Sequence, residues 1–140
     1  MRPLLVVDAS VAVKWFKPRG EQHLEQVLEL LTGHRDGTVT LAAPSHLRLE
    51  VINALWSKGI DATRLGQVAR DLDDLDVLWF EIDHDLTGHA ARIAAEARLT
   101  VYDAAYVALA LRLDAPLVTC DAKIIAADAC STRPLGQPMR

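Results

Sequence analysis

Asp8, Glu50, Asp103 and Asp121 are the residues whose type and spacing suit chemistry. Asp8 ends the apolar run Pro3-Leu4-Leu5-Val6-Val7, and Asp121 ends a second, Pro116-Leu117-Val118-Thr119-Cys120. Glu50 and Asp103 lie inside stretches with helical character. In a parallel α/β sheet, ligands collect beyond the carboxyl ends of the strands. Four carboxylates gathered there repel one another unless divalent cations lie between them. The set therefore points to metal-dependent chemistry.

Each acid also has a plainer explanation. Asp8 suits an Asx-type turn or a cap before the first helix. Asp103 and Asp121 suit helix starts, where the dipole favours a negative charge. Glu50 follows Leu47 by three and precedes Ala54 by four, so it borders the buried face of its helix. A carboxylate there must pair, bind a cation or reach solvent, because burying it alone is costly. Asn53, one turn on, is spaced to hydrogen-bond it, and an arginine partner is the alternative. Ser10 and Thr119 bring hydroxyls to the two strand ends as further oxygen donors or caps. The denser run Asp71, Asp73, Asp74 and Asp76 closes an apolar-periodic helix and reads as a solvated face. What the separate explanations omit is why all four singled-out acids fall at strand ends or on facing helices.

The elements that must position them alternate. Residues 4–7 read as a buried strand, and Ser10 as the N-cap of a helix to about Lys17, stopped by Pro18 and Gly20. Leu24, Val27, Leu28 and Leu31 recur at helical spacing, with Gly33 as the stop. Residues 38–43 form a second strand closed by Pro44. Ser45 caps a helix to Lys58, ended by Gly59. A further helix starts near Asp61 and carries Leu65, Val68, Leu72 and Leu75. Residues 77–82 are a third strand, and Asp83 or Asp85 caps a helix to Arg98. An alanine-rich helix spans 102–113, a strand 116–120, and a short helix runs to about Asp128. The last ten residues hold one edge strand or are loose. Alternation of this kind predicts an α/β fold: a three-layer α/β/α domain over 1–140 with a mainly parallel sheet of four or five strands.

Bulk properties agree. Hydrophobic residues make up 51% of the 140, which excludes disorder and allows a sizeable core. No apolar run approaches bilayer-spanning length, and the first residues lack a secretory pattern, so a cytoplasmic location is expected. Cys120 and Cys130 are too few for a disulfide framework or a zinc site. A net charge of −4 counts mildly against a nucleic-acid binder, less so for a nuclease whose cations neutralise an acidic pocket. Lys14, Lys17 and Arg19 form a small basic cluster that is a solvated helix end or a phosphate contact. Trp15, Trp56, Trp79, Phe16 and Phe80 are expected in the core or at its boundary. His46 is expected as a helix-start residue, and Cys120 as a small core residue.

Four segments in order carry a specific resemblance: Val7-Asp8-Ala9-Ser10, Leu49-Glu50-Val51-Ile52-Asn53-Ala54, Tyr102-Asp103-Ala104-Ala105-Tyr106-Val107-Ala108-Leu109-Ala110 and Leu117-Val118-Thr119-Cys120-Asp121. Together they resemble PIN-domain ribonucleases, and in size and composition the VapC-type toxins of toxin–antitoxin pairs. The resemblance covers about residues 4–128. It implies a PIN-like fold and RNA phosphodiester hydrolysis at Asp8, Glu50, Asp103 and Asp121 around Mg2+ or Mn2+. It assigns Asp103 to orienting the attacking water, with Ser10, Asn53 and Thr119 in support. It further implies a homodimer silenced by a VapB-type antitoxin, seated between helices 45–58 and 61–76. A catalytically silent PIN-like RNA- or protein-binding module is the alternative. A haloacid-dehalogenase-type phosphatase fits less well, because Ser10 stands where its second aspartate belongs. A receiver domain lacks both its phosphoacceptor aspartate and its lysine.

Overall fold

The computed structural model describes residues 2–17 and 22–135. Its strands are β1 (Leu4–Val7), β2 (Thr40–Pro44), β3 (Leu78–Phe80), β4 (Leu117–Thr119) and β5 (Thr132–Pro134). They form one sheet in the order β3-β2-β1-β4-β5, with every pairing parallel. The helices are α1 (Ala9–Ala12), α2 (Leu24–Asp36), α3 (Leu47–Ser57), α4 (Ala62–Asp74), α5 (His84–Ala97), α6 (Val101–Leu113) and α7 (Ala122–Ala127). The architecture is the expected three-layer α/β/α, and β5 is the edge strand. Arg19 and residues 136–140 lie outside the described residues.

The centre of the sheet is apolar for the usual reason in parallel sheets, that both faces are covered. Leu5, Val6 and Val7 of β1 and Leu117 and Val118 of β4 are all buried. Each such aliphatic side chain contributes roughly 1.5–3 kcal/mol on leaving water. Helix α6 is buried along seven consecutive residues, Ala104 to Ala110. A helix apolar on every side must be enclosed, and its four alanines let the sheet and α5 approach closely.

Several element ends differ from expectation, each for a local reason. Asp8, not Ser10, caps α1, since its carboxylate accepts from the Val11 amide. The helix is one α-turn followed by a 3-10 turn, Val13–Trp15. Gly33 does not stop α2; a Cβ there would meet Thr38 Oγ1 and Val39 Cγ1 at 3.0 Å, so it marks a close approach inside the helix. Gly37, at φ 83°, ends it. β2 begins at Thr40 and includes Pro44. His46 takes the N-cap position of α3 in place of Ser45 and makes no side-chain cap bond. Thr100 caps α6 by accepting from the Asp103 amide, so the helix begins at Val101, one residue earlier than expected, with Asp103 in its first turn.

Two surface expectations also change. Lys14 is buried, and its Nζ donates to the Gln22 carbonyl at 3.1 Å, so it is not part of a solvated basic cluster. Trp56 is exposed on the outer side of α3, whereas Trp15 donates its indole N–H to the Val27 carbonyl and Trp79 lies under the Arg48 guanidinium.

Candidate active site

The chain runs from β1 outward through β2 to β3, then crosses back to β4 on the other side of β1. Strand order therefore reverses between β1 and β4, where open α/β sheets form a crevice at the strands' carboxyl ends. Val7 pairs with Val118, so the next residues, Asp8 and Thr119, face each other at the mouth of that crevice.

Asp8 is only 2% exposed, yet it is well supplied with donors. Its Oδ1 accepts from the Ser10 hydroxyl at 2.6 Å and the Val11 amide at 3.2 Å. Its Oδ2 accepts from the Thr119 hydroxyl. Both hydroxyls are themselves held: the Cys120 amide donates to Ser10 Oγ, and the Asp121 amide to Thr119 Oγ1, each at 2.9 Å. The ends of β1 and β4 are thus laced together through one carboxylate. Burial pushes the Asp8 carboxyl up to about 6; the hydrogen bonds from Ser10, Thr119 and Val11 resist this, and the charge of Asp121 adds to it.

Asp121 caps α7 by accepting from the Lys123 amide at 2.8 Å and the Ile124 amide at 3.4 Å. The cap explanation is correct for it, as for Asp8, and in neither case does capping displace the residue from the crevice. Asp103 is half-buried on α6, and its carboxyl is pushed up by burial, then by the charges of Asp121 and Glu50. These mutual effects bring all four acids into one electrostatic cluster: Asp8 with Asp121, Asp121 with Asp103, and Asp103 with Glu50.

Glu50 is the exception in its partners. Tyr106 donates its phenol to Glu50 Oε1 at 2.6 Å, and His46 Nε2 lies 3.2 Å from the same oxygen. Burial pushes the Glu50 carboxyl up, but those two hydrogen bonds outweigh it and the group titrates below its ordinary value. Burial and the Glu50 charge push the Tyr106 phenol far above its ordinary range, so it stays a donor. Asn53, the expected partner, is exposed instead. Its spacing from Glu50 is helical, but it lies toward the solvent side while Glu50 turns to α6.

Tyr106 and His46 escaped the sequence reading. The available signal was that a buried tyrosine seeks a partner for its hydroxyl, and Tyr106 follows Asp103 by three on the same helical face. His46 precedes Glu50 by four, the spacing of facing side chains.

The donor set is all oxygen and carries four carboxylates, which suits a hard cation such as magnesium. Among the described residues no three His, Cys, Asp or Glu side chains close to ion-holding distance. Asp8 and Asp103 carry mainly a burial cost, to which the charges of neighbouring acids add. A cation would offset it, so the residues fit the ion.

A family model of the PIN domain matches residues 5–129. The chain belongs to the PIN domain family. No curated protein sequence matches it. Among solved structures, this PIN domain is similar to Mycobacterium tuberculosis VapC20, a Sarcin-Ricin loop cleaving toxin, with a TM-score of 0.74 and 16% identity over 93% of this chain and 99% of the other. It is also similar to Salmonella typhimurium VapBC bound to DNA, at TM-score 0.69 and 16% identity, covering 96% of this chain and 99% of the other. VapBC2 from Rickettsia felis, bound to a promoter DNA fragment, matches at TM-score 0.68 and 15% identity over 94% and 98%. At such identities the likeness establishes the shared fold.

Proposed function

We propose that this PIN domain, a single domain over residues 1–140, is a metal-dependent endoribonuclease acting as the toxin of a toxin–antitoxin pair. One observation carries the reading. In a PIN-family chain, Asp8 and the Thr119–Asp121 strand end meet where strand order reverses, and the charges of Glu50 and Asp103 join the same cluster.

Asp8, Glu50, Asp103 and Asp121 would hold a magnesium or manganese ion. Such an ion lowers the pKa of bound water and stabilises negative charge growing on phosphate. Ser10 and Thr119 keep Asp8 oriented and fix both of its oxygens at the crevice mouth. Asp103, in the first turn of α6, would orient the attacking water. The water oxygen would bond to phosphorus as the bond to the 3′ oxygen breaks; the attacking water's proton passes to solvent, and the 3′ oxygen takes a proton from solvent to leave as a hydroxyl.

The partners follow the same reading. The R. felis and S. typhimurium neighbours are VapBC complexes, which supports a VapB-type antitoxin for this chain; a homodimer is proposed with it as the working form. No helix of the described residues is long and apolar enough to cross a membrane.

The test is incubation with total cellular RNA, with and without magnesium, beside Asp8→Asn. Discrete fragments that need both the metal and Asp8 are expected. If wild type and Asp8→Asn leave identical RNA in the presence of magnesium, the nuclease reading fails and a silent binding module takes its place.

A further inference from the structure

We propose that Tyr106 and His46 act as positioning residues that clamp Glu50 by one oxygen, so that its other oxygen is presented to the metal ion. This rests on the nuclease reading and assigns roles to two residues outside the acidic set.

The geometry is one-sided. Tyr106 on α6 and His46 at the start of α3 both reach Oε1, at 2.6 and 3.2 Å, and among the described residues no hydrogen bond reaches Oε2. Glu50 belongs to a helix, and its long side chain keeps three rotatable bonds, so an unheld carboxylate sweeps a wide arc. Holding one oxygen removes most of that freedom before any ion arrives, the same advantage that fixed outer partners confer on metal ligands generally.

Each donor is itself immobilised. Tyr106 is 1% exposed, buried in the core. The His46 ring packs against the Tyr106 ring, with centroids 4.6 Å apart. Its Nε2 also faces the Tyr102 carbonyl at 2.9 Å. Nε2 thus meets two acceptors, so it is the ring nitrogen that carries the proton and donates. Nδ1 is buried with no partner, as an unprotonated ring nitrogen in an apolar setting can be. The Tyr102 carbonyl precedes Asp103, so His46 ties the Glu50 carboxylate to the backbone of the first turn of α6.

Manganese binding to the purified protein provides the test, read by titration calorimetry and by the Mn2+ spin-resonance signal. Tyr106→Phe keeps the ring and removes only the hydroxyl. It should weaken Mn2+ binding by about 10- to 100-fold. In a Glu50→Gln background the same change should have almost no further effect, because its action runs through Glu50. His46→Leu approaches the clamp from the other side and should weaken Mn2+ in the same way; His46→Gln, which keeps a donor, should recover part of the loss. Folded Tyr106→Phe and His46→Leu proteins that bind Mn2+ within twofold of wild type would overturn the clamp and leave the nuclease reading standing. A wild type that binds no Mn2+, with RNA untouched, overturns both.

Discussion

Asp8 is a buried carboxylate whose hydrogen bonds do not fully offset its burial, and the sign of that imbalance is testable. Its pKa rises from 3.8 to about 6 on folding. Below 3.8 both folded and unfolded chains hold the proton, and the residue costs nothing. Between 3.8 and about 6 the unfolded carboxyl gives up its proton while the native one keeps it, and by the time the pH has passed the folded value roughly 3 kcal/mol of stability is lost. Asn at this position keeps an oxygen for Ser10 and Val11 but turns an amide toward Thr119, which forfeits a bond worth about 1 kcal/mol. Relief from the buried charge outweighs that lost bond. In chelator at pH 7.5, Asp8→Asn should melt at or above the wild-type temperature, and the difference should shrink at pH 4.5. A variant that melts well below wild type at pH 7.5 would show that Asp8 is held for structure rather than crowded for binding. The crevice side of this arrangement was legible in the chain, because a carboxylate or hydroxyl directly after an apolar strand has one place to go. The Glu50 side was not. Helical spacing offered Asn53 as well as His46, and only the direction in which Glu50 turns, toward Tyr106 on α6, decides between them.

At the scale of elements, punctuation residues set where helices begin, and one of them carries a catalytic candidate with it. Thr100 Oγ1 accepts from the Asp103 amide at 3.1 Å, so the cap that starts α6 also fixes the turn bearing Asp103. Thr100→Ala removes that acceptor and should cost about 1 kcal/mol in urea unfolding. It should also loosen Asp103, so RNA cleavage should fall more than the loss of stability alone explains; cleavage equal to wild type would separate cap from site. Asp61 and Asp83 cap α4 and α5 in the same manner; the start near Asp61 was readable, while the sequence left Asp83 and Asp85 as equal candidates. Errors arose where a residue type has two uses. Gly33 resembled a stop and serves close packing; Ser10 resembled a cap and serves Asp8. The sequence carries the residue type, while the choice between uses depends on what packs beside it.

At the scale of the molecule, the alternation of strands and helices implied a parallel sheet, but the order β3-β2-β1-β4-β5 depends on which side of β1 the chain returns to, and no local pattern encodes that. The surface holds a second feature of the same kind. On α3, the buried residues Leu47, Val51 and Leu55 face the core, while Leu49 is 75% and Trp56 65% exposed, seven residues apart with half-buried Ile52 between them. Leu49, Ile52 and Trp56 share one face by helical spacing. α4 was expected to contribute apolar surface beside it, but Val68 and Leu72 are buried and Leu65 and Leu75 half-buried, so the apolar excess belongs to α3. Large side chains left in water on one helical face favour a partner. An antitoxin segment seated there would cover that apolar surface. Leu49→Glu with Trp56→Glu should leave the melting temperature nearly unchanged, since exposed positions shift stability by only about 0.5 kcal/mol. The same pair should weaken the complex with the product of the neighbouring small reading frame by at least about tenfold, as expected when a central tryptophan is lost from an interface. Retained co-purification and affinity would move the antitoxin to another face of the molecule, and α3 would then be exposed for some other reason than inhibition.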